Sequence, residues 1–139
     1  LGICHSLAHA LGAHFHIPHG RANALLLTHI IGYNAGLELV EDSETLLRYE
    51  KIANMLGIGG GTPKAAVYGL IRQIKNLMQR IHIPAYVTDL SVDREAFETA
   101  IPEMAGRAME DNCTVTNPRT PSQTELENLY KNLCKGGPV

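Results

Sequence analysis

Histidine is the residue type in this sequence that is best suited to metal binding or catalysis. Six of its seven imidazoles fall within residues 1–30, at His5, His9, His14, His16, His19 and His29. Neutral imidazole is the commonest protein ligand of divalent zinc, iron, cobalt and nickel, and it also carries protons near neutral pH. Residues 1–40 hold only two of the 26 charged side chains. A segment that loses charge and keeps imidazole predicts a buried polar site for a metal, for proton transfer, or for both.

The spacing of three histidines favours their convergence. His5 and His9 are four residues apart, so on a helix they lie about one turn apart on one face. Ser6 follows His5 where a zinc protease of the H-E-x-x-H type carries its general base, so the pattern is not that motif. His19 lies between a proline and a glycine, which present it stiffly at the start of a second helix. We predict that two helices and one loop bring three imidazoles together.

The other histidines are predicted in other roles. His14 and His16 are two residues apart and cannot share a helix face, so we expect them in a loop. His29 lies on the apolar stripe of its helix and is expected either in the core or in contact with a metal-ligating side chain. His82 is isolated among charged residues and is expected at the surface. No carboxylate precedes Glu38, so the ligand set visible in the opening segment is incomplete.

Composition excludes several functional classes. The 139 residues, 45% apolar and 19% charged, indicate one ordinary globular domain. A net charge of −2 lacks the excess of basic residues that is typical of nucleic-acid-binding proteins. Beyond residue 20, the longest stretch without a charged residue is residues 22–37, which is short for a transmembrane helix. Three cysteines without a C-x-x-C pair favour a reducing compartment, so we expect a cytoplasmic location. The start at Leu1, without a targeting segment, suggests a fragment.

Apolar residues recur at helical spacing along nearly the whole chain and predict a single all-α domain over residues 1–139. The expected helices cover approximately residues 1–12, 19–34, 43–56, 67–81, 93–110 and 122–133. Gly12 and Gly36 are placed to end the first two. Pro102 is expected to break the fifth, and Ser122 with Glu125 forms a capping box before the last.

The third and fourth helices carry the clearest inward stripes. Those stripes consist of Leu46, Tyr49, Ala53 and Leu56, and of Val67, Leu70, Ile71, Ile74, Leu77, Met78 and Ile81. Such stripes are typical of core faces. Residues 85–90 are the nearest approach to a strand and alternate only weakly. The glycine-rich residues 57–63 follow a helix and lack the lysine of a P-loop, so we interpret them as a connector.

Two separated motifs resemble the iron-containing (group III) alcohol dehydrogenases. The first covers GICHSLAHALGA at residues 2–13, FHIPHG at 15–20, NALLL at 23–27 and HIIGYN at 29–34. The second, EDNCT at residues 110–114 followed by NPR at 117–119, is similar to the D-x-C-T-x-x-N-P-R stretch near that family's C-terminus. The resemblance spans essentially the whole chain. It is particularly close to the alcohol dehydrogenase half of bacterial bifunctional aldehyde-alcohol dehydrogenases.

The resemblance implies the C-terminal helical bundle of a two-domain, dehydroquinate synthase-like fold, without its N-terminal dinucleotide-binding domain. It implies a catalytic Fe²⁺, or in some members Zn²⁺, held by His5 and His19 together with two ligands from upstream polypeptide. His9 is then a catalytic residue beside substrate and nicotinamide, which replaces the His5–His9 metal pair that spacing alone favours. Cys113 is implied in the same pocket, and an ordinary half-buried thiol is the alternative.

The implied activity is the interconversion of a primary alcohol and its aldehyde, with hydride exchanged with NAD(H) or NADP(H). The cofactor is expected to be bound mainly by the missing N-terminal domain, so the isolated chain is expected to be inactive. The expected partners are a small alcohol or aldehyde, that missing domain and further copies in a homo-oligomer, with no nucleic acid and no membrane. A role in fermentation fits this chemistry.

Two other hypotheses remain open at this point. The first is a free-standing metal-binding module without catalysis, in which His5, His9 and His19 close a zinc site together with His14 or His16. The second is an oligomerisation domain in which the histidines are core residues. Replacing His9 separates the first of these from a dehydrogenase, because a closed site would lose its metal whereas a dehydrogenase would mainly lose turnover.

Overall fold

The computed structural model describes residues 1–136, and over that range the chain forms α-helices and 3₁₀ helices but no β-strand. The α-helices are α1 (Ile3–Phe15), α2 (His19–Ala35), α3 (Glu44–Met55), α4 (Pro63–Arg80), α5 (Arg94–Glu110) and α6 (Gln123–Lys131). The 3₁₀ helices are Val87–Leu90 and Asn112–Thr116. The predicted all-α class is therefore confirmed. No helix in this part of the chain combines the length and apolar character needed to cross a bilayer.

The main core lies where α1 packs against α2 and α5, with α6 covering α5. Its largest fully buried side chains include Phe97 of α5 and Tyr130 of α6. The Tyr130 hydroxyl donates a hydrogen bond of 2.7 Å to the backbone carbonyl of Leu7. A smaller second core joins α2, α3 and α4 around Leu46 and Val67. Helix α1 is thus held on several sides, which gives a rigid support to any side chain that it presents.

Several helix boundaries follow the sequence pattern closely. The Ser43 hydroxyl caps α3 by accepting the Leu46 N–H, and Gly36 ends α2 in the left-handed conformation at φ 66°. The predicted capping box at the start of α6 is present, because Ser122 and Glu125 bond to each other's backbone N–H groups. These short-range signals were sufficient because each satisfies backbone groups within one helical turn.

The prediction that Gly12 ends α1 is wrong. The helix continues to Phe15, and the chain reverses at His16, which takes the left-handed conformation at φ 56°. A Cβ atom at Gly12 would lie only 3.0 Å from the carbonyl oxygen of Ile17. Glycine is therefore needed here for the close return of the chain. As a consequence His14 lies in the last turn of α1, not in the predicted loop, whereas His16 lies outside the helix.

The predicted break at Pro102 is also absent, and α5 is continuous through it. A proline inside a helix costs about 3 kcal/mol because it removes one hydrogen bond and crowds the preceding turn. Here Phe97 and Ile101 are buried before and beside the proline and Met104 is buried after it. Burial of both halves of the helix offsets the cost. Pro102 lies on the exposed face, where water can satisfy the carbonyl that has lost its partner.

The inward stripes were only partly correct. In α4, Val67 and Leu70 are buried, but Leu77 and Ile81 are 53% and 58% exposed, and Leu56 after α3 is 64% exposed. Periodicity identifies the apolar side of a helix, but burial requires a neighbouring helix on that side. Helices α2 and α3 bury the N-terminal half of α4 most fully, and Ile74 beyond it is only partly buried. The weak strand signal at residues 85–90 corresponds to a 3₁₀ helix, and residues 57–62 form the predicted connector.

Candidate metal and catalytic site

Three imidazoles converge where the N-terminal ends of α1 and α2 meet. The ring centroids are 5.5 Å apart for His5 and His19, 5.4 Å for His9 and His19, and 6.2 Å for His5 and His9. His5 and His9 lie one turn apart on α1, and His19 is the first residue of α2. The reversal at His16 and the fixed backbone of Pro18 turn α2 back against α1. The structure therefore brings together the three rings that spacing predicted to meet.

The separation of His5 and His19 fits joint binding of one cation. Imidazole nitrogens bind a divalent transition metal at about 2.0–2.1 Å, which places the centroids of two coordinated rings about 5 Å apart. The observed 5.5 Å is close to that value, as is the 5.4 Å between His9 and His19, so the choice of His5 as the partner rests on the family resemblance. Burial lowers the pKa of His5, and the positive charges of His19 and His9 lower it further. His5 is thereby held in the neutral form that a metal requires.

A supporting network fixes the ring of His19. The Asn23 amide nitrogen lies 3.1 Å from His19 Nε2 and 3.1 Å from the carbonyl oxygen of His19. The Cys4 thiol lies 3.5 Å from the side-chain oxygen of Asn23. Burial raises the pKa of Cys4 to about 11, so this thiol remains a neutral donor. With the amide nitrogen as donor, Nε2 of His19 accepts this hydrogen bond, so ligation of a metal through Nε2 would require Asn23 to release it.

Asp111 completes the site from the other end of the chain. Its Oδ2 lies 2.8 Å from Nδ1 of His9, and its Oδ1 accepts the backbone N–H of Cys113 at 2.8 Å. The hydrogen bond with His9 lowers the pKa of Asp111, and the backbone N–H of Cys113 lowers it further. Asp111 is thus a carboxylate whose two oxygens are both fixed. Sequence reasoning assigned Asp111 no role, although it stands in the C-terminal motif that supported the family resemblance.

The C-terminal motif lies along α1 in a fixed register. Successive contacts at three-residue intervals join Asp111 to His9, Thr114 to Ser6 and Asn117 to Ile3. The hydroxyl oxygens of Thr114 and Ser6 are 2.7 Å apart, and the Asn117 side-chain oxygen accepts the Ile3 N–H at 3.2 Å. A 3₁₀ helix has three residues per turn, so residues 111, 114 and 117 recur on one side. This register explains why the carboxylate of Asp111 lies within hydrogen-bonding distance of His9.

Cys113 lies beside this pair. Its sulfur, a ring nitrogen of His9 and a carboxylate oxygen of Asp111 all lie within 4.8 Å of one another. Burial raises the pKa of the Cys113 thiol, and the hydrogen bond with Asp111 raises it further. The structure thus brings Cys113 next to His9 and Asp111.

The other histidines lie apart from the three converging rings. The ring of His14 packs against Phe15, at 4.7 Å between centroids, and His82 is exposed. His29 lines a groove with Lys75 between α2 and α4, and burial followed by the charge of Lys75 lowers its pKa. Within residues 1–136 neither His14 nor His16 belongs to a set of three metal-ligating side chains whose donor atoms lie within 4.8 Å of one another, so neither supplies the fourth ligand of a closed four-histidine zinc site.

Comparison with known proteins gives the family. The model of the Fe-containing alcohol dehydrogenase family, C-terminal, matches residues 1–134. The NADPH-dependent butanol dehydrogenase of Clostridium saccharobutylicum is 35% identical over 139 residues, which cover 100% of this chain and 34% of that protein. The bifunctional aldehyde-alcohol dehydrogenase of Escherichia coli (strain K12) is 34% identical over 146 residues, covering 98% of this chain and 16% of that protein.

Solved structures agree with the sequence comparison. A crystal structure of a 1,3-propanediol oxidoreductase matches with a TM-score of 0.81 and 32% identity, over 96% of this chain and 32% of that one. The chain thus spans about a third of that oxidoreductase and of the butanol dehydrogenase, and about a sixth of the bifunctional relative. Its helices correspond to the helical C-terminal part of such enzymes. With nearly its whole length matched, the chain belongs to the iron-containing alcohol dehydrogenase family.

Proposed function

We propose that this chain forms the metal-binding helical part of an alcohol dehydrogenase that interconverts a small primary alcohol and its aldehyde. The dinucleotide-binding domain and the remaining metal ligands would come from polypeptide outside these 139 residues. The single observation that carries the proposal is the convergence of His5 and His19, 5.5 Å apart, from two helices. The butanol and propanediol enzymes among the relatives support small alcohols as the substrate class.

His5 and His19 would hold Fe²⁺ or Zn²⁺ in this enzyme. When bound, such a cation supplies a Lewis acid for the alcohol or aldehyde oxygen. Two imidazoles from this chain leave the other coordination positions to upstream ligands and to substrate. The lowered pKa of His5 favours the neutral form that ligation requires, and ligation through Nε2 of His19 would displace the hydrogen bond from Asn23.

His9 is the proposed proton-transfer residue. With its Nδ1–H donated to Asp111, the free nitrogen of the imidazole is Nε2, which can accept the proton of the alcohol. The carboxylate of Asp111 stabilises the imidazolium that results. In the reverse direction the same nitrogen returns a proton to the oxygen of the reduced aldehyde. NAD(H) or NADP(H), bound mainly by polypeptide outside these 139 residues, would supply the hydride acceptor or donor for the substrate carbon.

Cys113 is proposed to line the substrate side of His9, since its sulfur lies within 4.8 Å of a ring nitrogen of His9. All three cysteines are free in the structure, which supports a reducing compartment and hence a cytoplasmic enzyme.

The test combines metal analysis with a kinetic assay. The chain alone and the chain joined to its upstream domain are loaded with Fe²⁺ and assayed for NAD- and NADP-linked oxidation of short primary alcohols. We expect turnover only from the joined protein, and we expect His5→Ala and His19→Ala each to lose bound metal. His14→Ala, on the same helix but outside the cluster, is the matched control and should keep it. Full turnover by the chain alone would contradict the proposed division of the active site.

A further inference from the structure

We propose that His9, Asp111 and Cys113 form a second cation site, suited to Zn²⁺, whose occupation blocks proton transfer by His9. Within residues 1–136 this is the one set of three metal-ligating side chains whose donor atoms all lie within 4.8 Å of one another. It shares no residue with the His5–His19 pair. The cation-binding part stands on this geometry alone, and only the inhibitory part rests on the proposed function.

The donor set suits zinc. One imidazole nitrogen, one carboxylate oxygen and one thiolate sulfur are three of its usual ligand types, and the sulfur disfavours magnesium and calcium. Ligands of a tetrahedral zinc at about 2.0–2.3 Å are about 3.3–3.8 Å apart, so atoms within 4.8 Å need to move by about 1 Å or less. Three protein ligands leave the fourth position to water.

The surrounding structure holds two of the ligands in place. Asp111 caps the 3₁₀ helix through its Oδ1, which leaves Oδ2 directed at His9. The contact between Thr114 and Ser6 fixes the same segment to α1. The side chains of His9 and Asp111 are 44% and 22% exposed, so a cation has a path from solvent. Little reorganisation is therefore needed before binding.

Occupation of this site and the His9–Asp111 hydrogen bond exclude each other. Nδ1 is the nitrogen that faces Asp111, so a cation held between the two side chains would require its lone pair, whereas the hydrogen bond requires a proton on it. On binding, the imidazole proton resides on Nε2, the thiol of Cys113 releases its proton to solvent, and three bonds to the cation form. The charge of the cation favours the thiolate against the burial that opposes it. His9 then has neither a free nitrogen nor its carboxylate partner.

The test uses Co²⁺ as a spectroscopic substitute for Zn²⁺ on the 139-residue chain. A thiolate ligand gives bound Co²⁺ an intense near-ultraviolet charge-transfer band, which imidazole and carboxylate do not give. We expect this band in the parent chain, its loss in Cys113→Ser and its displacement by Zn²⁺. Cys4→Ser and Cys134→Ala are the matched controls and should keep it, because Cys4 faces Asn23 and Cys134 is buried elsewhere. A band that is absent from the parent chain, or that survives in Cys113→Ser, would overturn the proposal.

Further variants separate this site from the family's own metal. The double variant His5→Ala/His19→Ala should retain the cobalt band, whereas Asp111→Asn should weaken cobalt binding on the order of tenfold or more. Loss of the band in the double variant would show that there is one shared site and would refute a second. In the intact enzyme, the Zn²⁺ concentration for half inhibition should rise at least tenfold in Cys113→Ser, with each protein compared to its own uninhibited rate. Equal sensitivity of the two proteins would refute the inhibitory role.

Discussion

Nδ1 of His9 and Oδ2 of Asp111 lie 2.8 Å apart although 102 residues separate them in the chain. The carboxylate is fixed by the backbone N–H of Cys113, so it determines which tautomer His9 adopts. A histidine four residues after another on a helix is common. One whose Nδ1 is held by a fixed carboxylate has Nε2 free to exchange a proton. The relationship therefore links the two sequence motifs in one chemical unit.

Asp111→Asn should harm turnover more than binding. An asparagine at this position can donate its amide hydrogen to Nδ1, which favours the wrong tautomer of His9 and removes the charge that stabilises the imidazolium. We expect kcat of the intact enzyme to fall on the order of a hundredfold, with KM for the alcohol changing much less. Glu110→Gln, the exposed carboxylate next in sequence, is the control. Equal effects of the two substitutions would remove Asp111 from the mechanism.

His9→Ala and His5→Ala should have different consequences. His5 is proposed to bind metal, so its loss should lower metal content and activity together. His9 is bonded to Asp111 and is proposed to act on protons, so its loss should leave stoichiometric Fe²⁺ bound and lower kcat. The measurement is metal content by mass spectrometry beside turnover in the intact enzyme. Loss of iron from His9→Ala would instead favour the closed metal-binding module.

Asn117→Ala should destabilise the chain and loosen the start of α1. The Asn117 side chain accepts the Ile3 N–H, and it exchanges hydrogen bonds of 3.2 and 2.8 Å with the buried Asn34. Its removal leaves at least two polar groups without partners, which costs about 2–4 kcal/mol. Urea unfolding of the chain is the measurement. Asn112→Ala, at an exposed position of the adjacent 3₁₀ helix, should change the free energy of unfolding little.

Gly2 lies so close to Asn117 that it leaves no room for a side chain. A Cβ atom at Gly2 would lie 2.9 Å from the side-chain oxygen of Asn117, the atom that accepts the Ile3 N–H. The glycine thus permits the contact that fixes the first turn of α1, on which His5 lies. If Gly2→Ala shifts neither the stability nor the metal affinity of His5, this coupling between the motif and the ligand is absent.

Much of the fold could be predicted because its signals are local. The cap at Ser43, the capping box at Ser122 and the left-handed glycine at Gly36 each act within about one turn. The errors concern packing that residue type and spacing do not show. Gly12 serves the return of the chain at Ile17, and Pro102 is tolerated because other helices bury the residues around it. Both depend on the path that the chain takes in three dimensions.

The candidate site likewise has a part that the sequence could predict and a part that it could not. Spacing was enough to predict that His5, His9 and His19 converge, because two share a helix face and the third follows a short connection. Asp111 could not be found by spacing, because it reaches His9 only through the register of a 3₁₀ helix along α1. The family motif contained the signal. A carboxylate two residues before an expected pocket cysteine marks that segment as part of the site.

The stability of the chain should fall as the pH is lowered below about 6.5, the ordinary pKa of an unfolded histidine. Burial, followed by the charge of Lys75, lowers the pKa of His29 in the folded state. At a pH between the folded and unfolded pKa values of His29, the unfolded state binds a proton that the folded state does not, so protonation favours unfolding. This group therefore leaves the free energy of unfolding undiminished only above its unfolded pKa.

The measurement for this last effect is urea unfolding at about pH 7.5 and about pH 5.5, on either side of the unfolded pKa. His29→Gln should reduce the loss of stability between the two, because it removes the titrating group. Lys75→Gln should reduce it less, because burial is the larger cause of the lowered pKa. Arg72→Gln, an exposed cation on the same helix, should keep the parent's pH dependence. The pH dependence of the free energy of unfolding comes only from protons that the folded and unfolded states bind differently. If His29→Gln kept the parent's pH dependence, groups other than His29 would be responsible for it.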